Sequence, residues 1–199
     1  LDYAIRNIHF PESFESLDRA RKRLIFDELF ILQLGLLSIK ERTGEEKTEM
    51  VIKNDCTEEV YHRLPFSPTR AQKRAVFEAL SDMKSGEPMN RLLQGDVGSG
   101  KTIVALRAML QVVDGGGQAV LLAPTEVLAW QHLRTIENLL GPLALGGQIG
   151  APENATRIDI LTGSLTVRQR RETLARLASG QSGLVVGTHA LLSDDVQMP

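Results

Sequence analysis

The sequence predicts an α/β fold, a mostly parallel sheet covered by helices on both faces and preceded by an N-terminal helical segment. Three observations carry that prediction. Short apolar runs alternate with helical patterns of ten to fifteen residues in the second half of the chain. One junction holds Gly95-Asp96-Val97-Gly98-Ser99-Gly100-Lys101-Thr102 between an apolar run and an amphipathic helix. The remaining apolar runs end in small polar residues, as strands do when their carboxyl ends share one edge of a parallel sheet.

Globular composition supports this. The 199 residues are 42% hydrophobic and 24% charged, enough for a real core. A net charge of −2 gives no bulk signature of a nucleic-acid binder, so any such contact must come from local groups. A single cysteine, Cys56, excludes an internal disulfide and a cysteine-based metal site, and with the lack of a long apolar run it points to a cytoplasmic protein. A start at Leu1 and a stop at Met198-Pro199 after a strand-like run suggest a piece of a longer chain.

Taken in order, residues 1–15 mix aromatic and apolar side chains around Pro11 too irregularly to define one element. From Ser16 to about Leu37 the spacing is helical, with Leu17, Leu24, Phe26, Leu29, Phe30, Leu34 and Leu37 as burial candidates. Glu15/Arg19 and Asp18/Lys22 are i,i+4 pairs on that helix. The apolar face is wide, so the helix is expected to lie on a partner surface. Residues 1–39 thus read as a helical segment joining an upstream domain. Alternating charges and few apolar anchors make 40–63 a linker. Residues 64–199 form the nucleotide domain.

That domain opens with a helix ending near Lys84, stopped by Gly86 and Pro88. Thr69 and Gln72 have capping-box spacing, which accounts for Gln72 structurally. The same amide pairs one donor with one acceptor, as needed to read an adenine edge, so both roles stay open. Arg91-Leu92-Leu93-Gln94 reads as the strand feeding the glycine-rich loop. Further strands are predicted over 118–123, 157–161 and 183–187, with helices from Val127 to about Leu140 and from Thr166 to about Ala178.

The loop motif has a physical rationale at each position. Gly95, Gly98 and Gly100 permit backbone angles that a Cβ forbids, so main-chain N–H groups can close on phosphate oxygens. Asp96, Val97 and Ser99 complete the cradle. The following helix aims its unpaired N–H groups at the same anion. Lys101 is placed to reach the β/γ-phosphates and Thr102 to ligate Mg²⁺, which makes ATP with Mg²⁺ the expected cofactor. The four fixed positions arise by chance in about one chain in a hundred of this length, and the flanking pattern lowers that further.

The other strand ends are Pro124-Thr125, Thr162-Gly163-Ser164 and Gly187-Thr188-His189. Thr125 and Thr166 suit helix caps. Hydroxyl and N–H groups beside a phosphate loop also suit a polymer's phosphates, with Arg168, Arg170 and Arg171 adding charge nearby, so capping and nucleic-acid binding remain alternatives. His132 and His189 lack a second suitably spaced metal ligand.

These stretches resemble a known family. Gly95–Thr102, Leu122-Ala-Pro-Thr-Glu-Val-Leu-Ala-Trp-Gln-His132, Leu161-Thr-Gly-Ser164 and Val186-Gly-Thr-His-Ala-Leu191 are similar to motifs I, Ia, Ib and Ic of superfamily 2 helicases. In wording they most resemble the RecG family of bacterial branched-DNA helicases. Arg23–Gln33, Ile8–Glu12 and Leu64–Ser67 resemble the stretch joining that family's wedge domain to its motor. PriA-like and transcription-repair-coupling translocases share the four motifs more loosely. A P-loop kinase or nucleotide-sensing module would share only the loop.

The resemblance implies the first of two RecA-like lobes of an ATP-dependent DNA helicase acting on branched DNA in recombination and repair. It implies nucleotide contacts from Gln72 and a DNA path lined by Thr125, Glu126, Thr162, Gly163, Ser164, Thr188 and His189. The family's Asp-Glu-x-His motif is expected past residue 199, since Asp194-Asp195 has no apolar strand directly before it. Hydrolysis also needs an arginine from the second lobe, so the segment alone is expected to turn over almost no ATP.

Overall fold

The computed structural model describes residues 1–43, 59–60, 62–64 and 66–199. The chain divides into two compact units, Leu1–Thr48 and Glu49–Pro199. Most of the expected charged linker, 44–58, lies outside the described residues.

In the first unit, helix α1 (Asp2–His9) packs on α2 (Phe14–Thr43). The irregular reading of residues 1–15 is corrected here: Ala4 and Asn7 are buried one turn apart, and the i,i+4 pair Asp2–Arg6 supports the helix. Ser13 and Ser16 exchange side-chain and backbone hydrogen bonds where α2 begins, which satisfies donors that the first turn leaves free. Ala20 is fully buried, whereas Phe26, Leu29, Phe30, Leu34 and Leu37 are about half exposed, so those burial candidates are not covered. Phe26 and Phe30 instead stack on each other at 5.6 Å.

The second unit is built on a three-stranded parallel sheet. Its strands are β1 (Ala119–Leu122), β2 (Ile158–Leu161) and β3 (Leu184–Gly187), in the order β1-β3-β2. Leu122 and Leu161 both register with Gly187, so the three carboxyl ends lie level along one edge. Central β3 is buried throughout, as a strand covered on both faces must be. Leu184 and Val186 face Leu106 and Leu110 of α4 (Lys101–Asp114) and Ile136 and Leu140 of α5 (Glu126–Leu140). Val185 faces the opposite way, toward Leu177 of α6 (Val167–Ala178). Val60 joins the first of these clusters.

The helix α3 (Arg70–Met83) forms as expected, with the Thr69–Gln72 capping box complete. The strand expected over 91–94 does not form. Leu92 is 90% exposed, and Arg91 is drawn to α3 by Glu78 at 2.9 Å and Asp82 at 2.7 Å. A strand needs a hydrogen-bonded neighbour, and among the described residues none runs beside this segment.

Candidate functional site

Helix α4 ends at Asp114 and a short glycine turn leads into β1, so the two run antiparallel while sharing a core. The start of α4 therefore sits at the edge where the strands finish. Gly98 and Gly100 both adopt φ of +80°, which bends the chain back on itself before Lys101. Ser99 N–H donates to the Asp96 carbonyl at 3.2 Å, closing the turn.

Lys101 folds into the loop it follows. Its Nζ donates to the carbonyls of Gly95 at 2.6 Å and Asp96 at 2.8 Å, and among the described residues no carboxylate pairs with it. An ammonium held only by carbonyl oxygens inside a glycine-rich turn is available to an entering anion, so the cradle fits a phosphate group. Thr102 lies in the first turn of α4, beside the same amides. Among the described residues no cluster of three or more His, Cys, Asp or Glu could hold a metal ion, so Thr102 fits Mg²⁺ only together with phosphate oxygens.

Gln72 serves both ends of its amide within the protein. Oε1 accepts from Thr69 N–H at 2.8 Å, and Nε2 donates to the Ser99 carbonyl at 2.9 Å. The second bond spans 27 residues and ties the start of α3 to the phosphate loop. One amide hydrogen and one lone pair remain, which is what an adenine edge requires.

The other strand ends lie level along the edge where α4 starts. Thr125 caps α5, its hydroxyl accepting from Leu128 N–H at 3.3 Å. Glu126 Oε1 accepts from Ser164 N–H at 3.0 Å, and the Thr162 and Ser164 hydroxyls lie 3.1 Å apart. Thr125, Gly163, Ser164 and His189 are exposed, whereas Thr162 and Thr188 retain only 1% and 2% of their surface. These two threonines stand behind the surface. The Thr188 hydroxyl is buried with no partner among the described residues.

The arginines on α6 are mostly engaged. Arg168 pairs with Glu172 at 2.8 Å, which holds that carboxyl below its ordinary range. Arg170 reaches both oxygens of Asp195 at 2.9 Å; the Ser193 hydroxyl first and this arginine second keep the Asp195 carboxyl low. Asp195 is thus a brace between α6 and the segment after β3. At the opposite end of the sheet, Arg176, Ser182 and Asp159 form a buried network, and a cavity of about 320 Å³ opens by Gly117, Arg157 and Gly183. That cavity lies away from the phosphate loop, at the strands' amino ends.

The DEAD/DEAH box helicase family matches residues 69–198. The chain belongs to the DEAD/DEAH box helicase family. It is 52% identical over 198 residues to the ATP-dependent DNA helicase RecG of Mycobacterium tuberculosis, covering 98% of this chain and 27% of that protein. The RecG of Synechocystis sp. is 44% identical over 198 residues, with 98% and 22% covered. Among solved structures, RecG bound to a three-way DNA junction superposes with a TM-score of 0.81 at 38% identity, over 98% of this chain and 25% of that one. The chain therefore spans about a quarter of the length of these relatives. The RecA-like helicase fold and the resemblance to RecG both hold. No helix among the described residues of this helicase segment is long and apolar enough to cross a membrane.

The glycine-rich loop, Gln72 and the polar strand ends are the candidates that sequence reasoning names. That reasoning missed the tether from Gln72 to Ser99 and the bridge from Glu126 to Ser164, because each joins distant residues through a backbone group that nearly every residue type carries.

Proposed function

We propose that this chain is the ATP-binding part of an ATP-dependent DNA helicase that remodels branched DNA, such as stalled forks and Holliday junctions, in recombination and repair. The observation that carries the reading is the single sheet edge on which the phosphate loop and the ends of β1, β2 and β3 meet. The likeness to RecG over nearly the whole chain supports it.

In this reading ATP is held by the N–H groups of Gly95 to Thr102, and Lys101 exchanges its carbonyl partners for the β- and γ-phosphates. Gln72 reads adenine with its remaining hydrogen and lone pair. Thr102 would hold Mg²⁺ through its hydroxyl together with the phosphate oxygens, where the ion would supply charge neutralisation. Thr125, Gly163, Ser164 and His189 meet the DNA backbone; Thr162 and Thr188 support them from below, and Glu126 completes the path. Such contacts position a strand without reading its sequence. A second RecA-like lobe and an upstream wedge domain of the longer protein are its partners, and the place of action is the cytoplasm. The segment by itself turns over almost no ATP, because the family's Asp-Glu-x-His motif lies on the next strand of this lobe and its arginine finger on the second lobe.

The deciding experiment measures ATP hydrolysis by the intact protein on forked, linear duplex and single-stranded DNA. Strongest stimulation by the fork is expected. Rates indifferent to DNA would instead favour a P-loop kinase or a nucleotide sensor.

A further inference from the structure

We propose that Glu126 is a positioning residue for DNA binding: its carboxylate locks the Thr162–Ser164 turn into the form that meets the phosphate backbone. The inference rests on the DNA-binding reading above and deepens it.

An acid on a phosphate path is at first sight misplaced, since like charges repel. Glu126, however, is held from two sides. It is the first residue of α5, where the helix dipole favours an anion, and its Oε1 accepts from Ser164 N–H at 3.0 Å. The bond joins the end of β1 to the end of β2, and these strands are not neighbours. β3 lies between them, so the bridge links the two outer strand ends across the central one.

Gly163 lies against the same carboxylate oxygen. A Cβ there would lie 3.2 Å from Glu126 Oε1, tighter than ordinary packing. With the Ser164 N–H engaged by Glu126 and the two hydroxyls of the turn 3.1 Å apart, the exposed Gly163 backbone and Ser164 hydroxyl are presented in one fixed arrangement beside Thr125. Preorganised donors bind a backbone better than donors that must first be ordered.

The alternative is that Glu126 opposes DNA, either by repulsion or by occupying a donor that a phosphate needs. The two predict opposite signs. In the intact protein, Glu126→Ala is expected to weaken binding of a three-way junction by roughly three- to tenfold, the effect of losing one charge-assisted hydrogen bond at an exposed site. The DNA concentration for half-maximal ATPase should rise in proportion, with a smaller change in kcat. Glu126→Gln, whose amide oxygen still accepts from Ser164, should stay within about twofold of the parent. Gly163→Ala, whose Cβ crowds the same carboxylate, should cost less junction affinity in combination with Glu126→Ala than it does alone; equal costs in the two backgrounds would also count against the proposal.

Junction binding by Glu126→Ala as tight as the parent's, or tighter, would overturn the proposal. So would a glutamine variant as weak as the alanine one, since charge and not the bond would then matter. A parent protein that binds no junction would sink the DNA reading itself, a distinct outcome.

Discussion

The phosphate loop and the Thr162–Ser164 turn stand on the same edge of one sheet, yet they are held in different ways. The loop is shaped mainly from within: glycines at φ of +80° turn it, and Lys101 bonds the carbonyls of Gly95 and Asp96 a few residues upstream. The turn is held from outside, by a carboxylate 38 residues earlier that reaches across an intervening strand. Contiguous sequence therefore suffices to recognise the first, whereas the second exists only once the topology has brought separate strand ends together.

Damage to the loop should be severe and local. In the intact protein, Lys101→Ala is expected to lower DNA-dependent ATP hydrolysis by roughly 100-fold or more, as removal of one preorganised donor does at other charged transition states. Far-ultraviolet circular dichroism and Tm should change little, because the lysine contacts only loop carbonyls. Undiminished turnover would break the comparison at its strongest point.

Gln72 sharpens the contrast because its bond to Ser99 supports the loop from 27 residues away. Glu at this position would still accept from Thr69 N–H and keep the capping box, but it would face the Ser99 carbonyl without a hydrogen to donate. Gln72→Glu should weaken ATP binding about tenfold with little loss of Tm, whereas Gln72→Ala should also lose about 1 kcal/mol of stability with the cap. Isothermal titration and thermal melts separate the two terms.

The uneven legibility of the chain follows the same division. The Thr69–Gln72 cap, α4, α5, α6 and the three strands could be read because each depends on spacing within a few residues. The expected strand at 91–94 failed because an apolar pair such as Leu92-Leu93 becomes a strand only beside a partner, and Arg91 is tied to α3 instead. Helix α1 was overlooked because its packed positions are Ala4 and Asn7, too small and too polar to register as an apolar stripe. Glu126 was legible as a strand-end residue, but its bond to Ser164 N–H was not, since backbone donors leave no mark in a sequence.

The smallest expected effect concerns Asp195, which braces α6 from the far side of the same edge. Its folded pKa lies below the unfolded value, so its stabilisation is present above the ordinary carboxylate range and is lost as pH falls through the folded value. The Tm difference between the parent and Asp195→Asn should therefore narrow below about pH 4. A difference that persists unchanged in acid would mean that the pair with Arg170 contributes nothing.

The claim beneath all of this is that DNA runs along the edge where the strands end, next to the phosphate loop. Site-specific photo-cross-linking tests it directly, with the reactive side chain placed either at Val127, which is 78% exposed beside Thr125, or at the exposed Gln181 by the strands' amino ends. In the intact protein with a three-way junction, cross-links are predicted from position 127 and not from 181. Cross-links from 181 with none from 127 would put the DNA on the wrong end of the sheet and contradict the account.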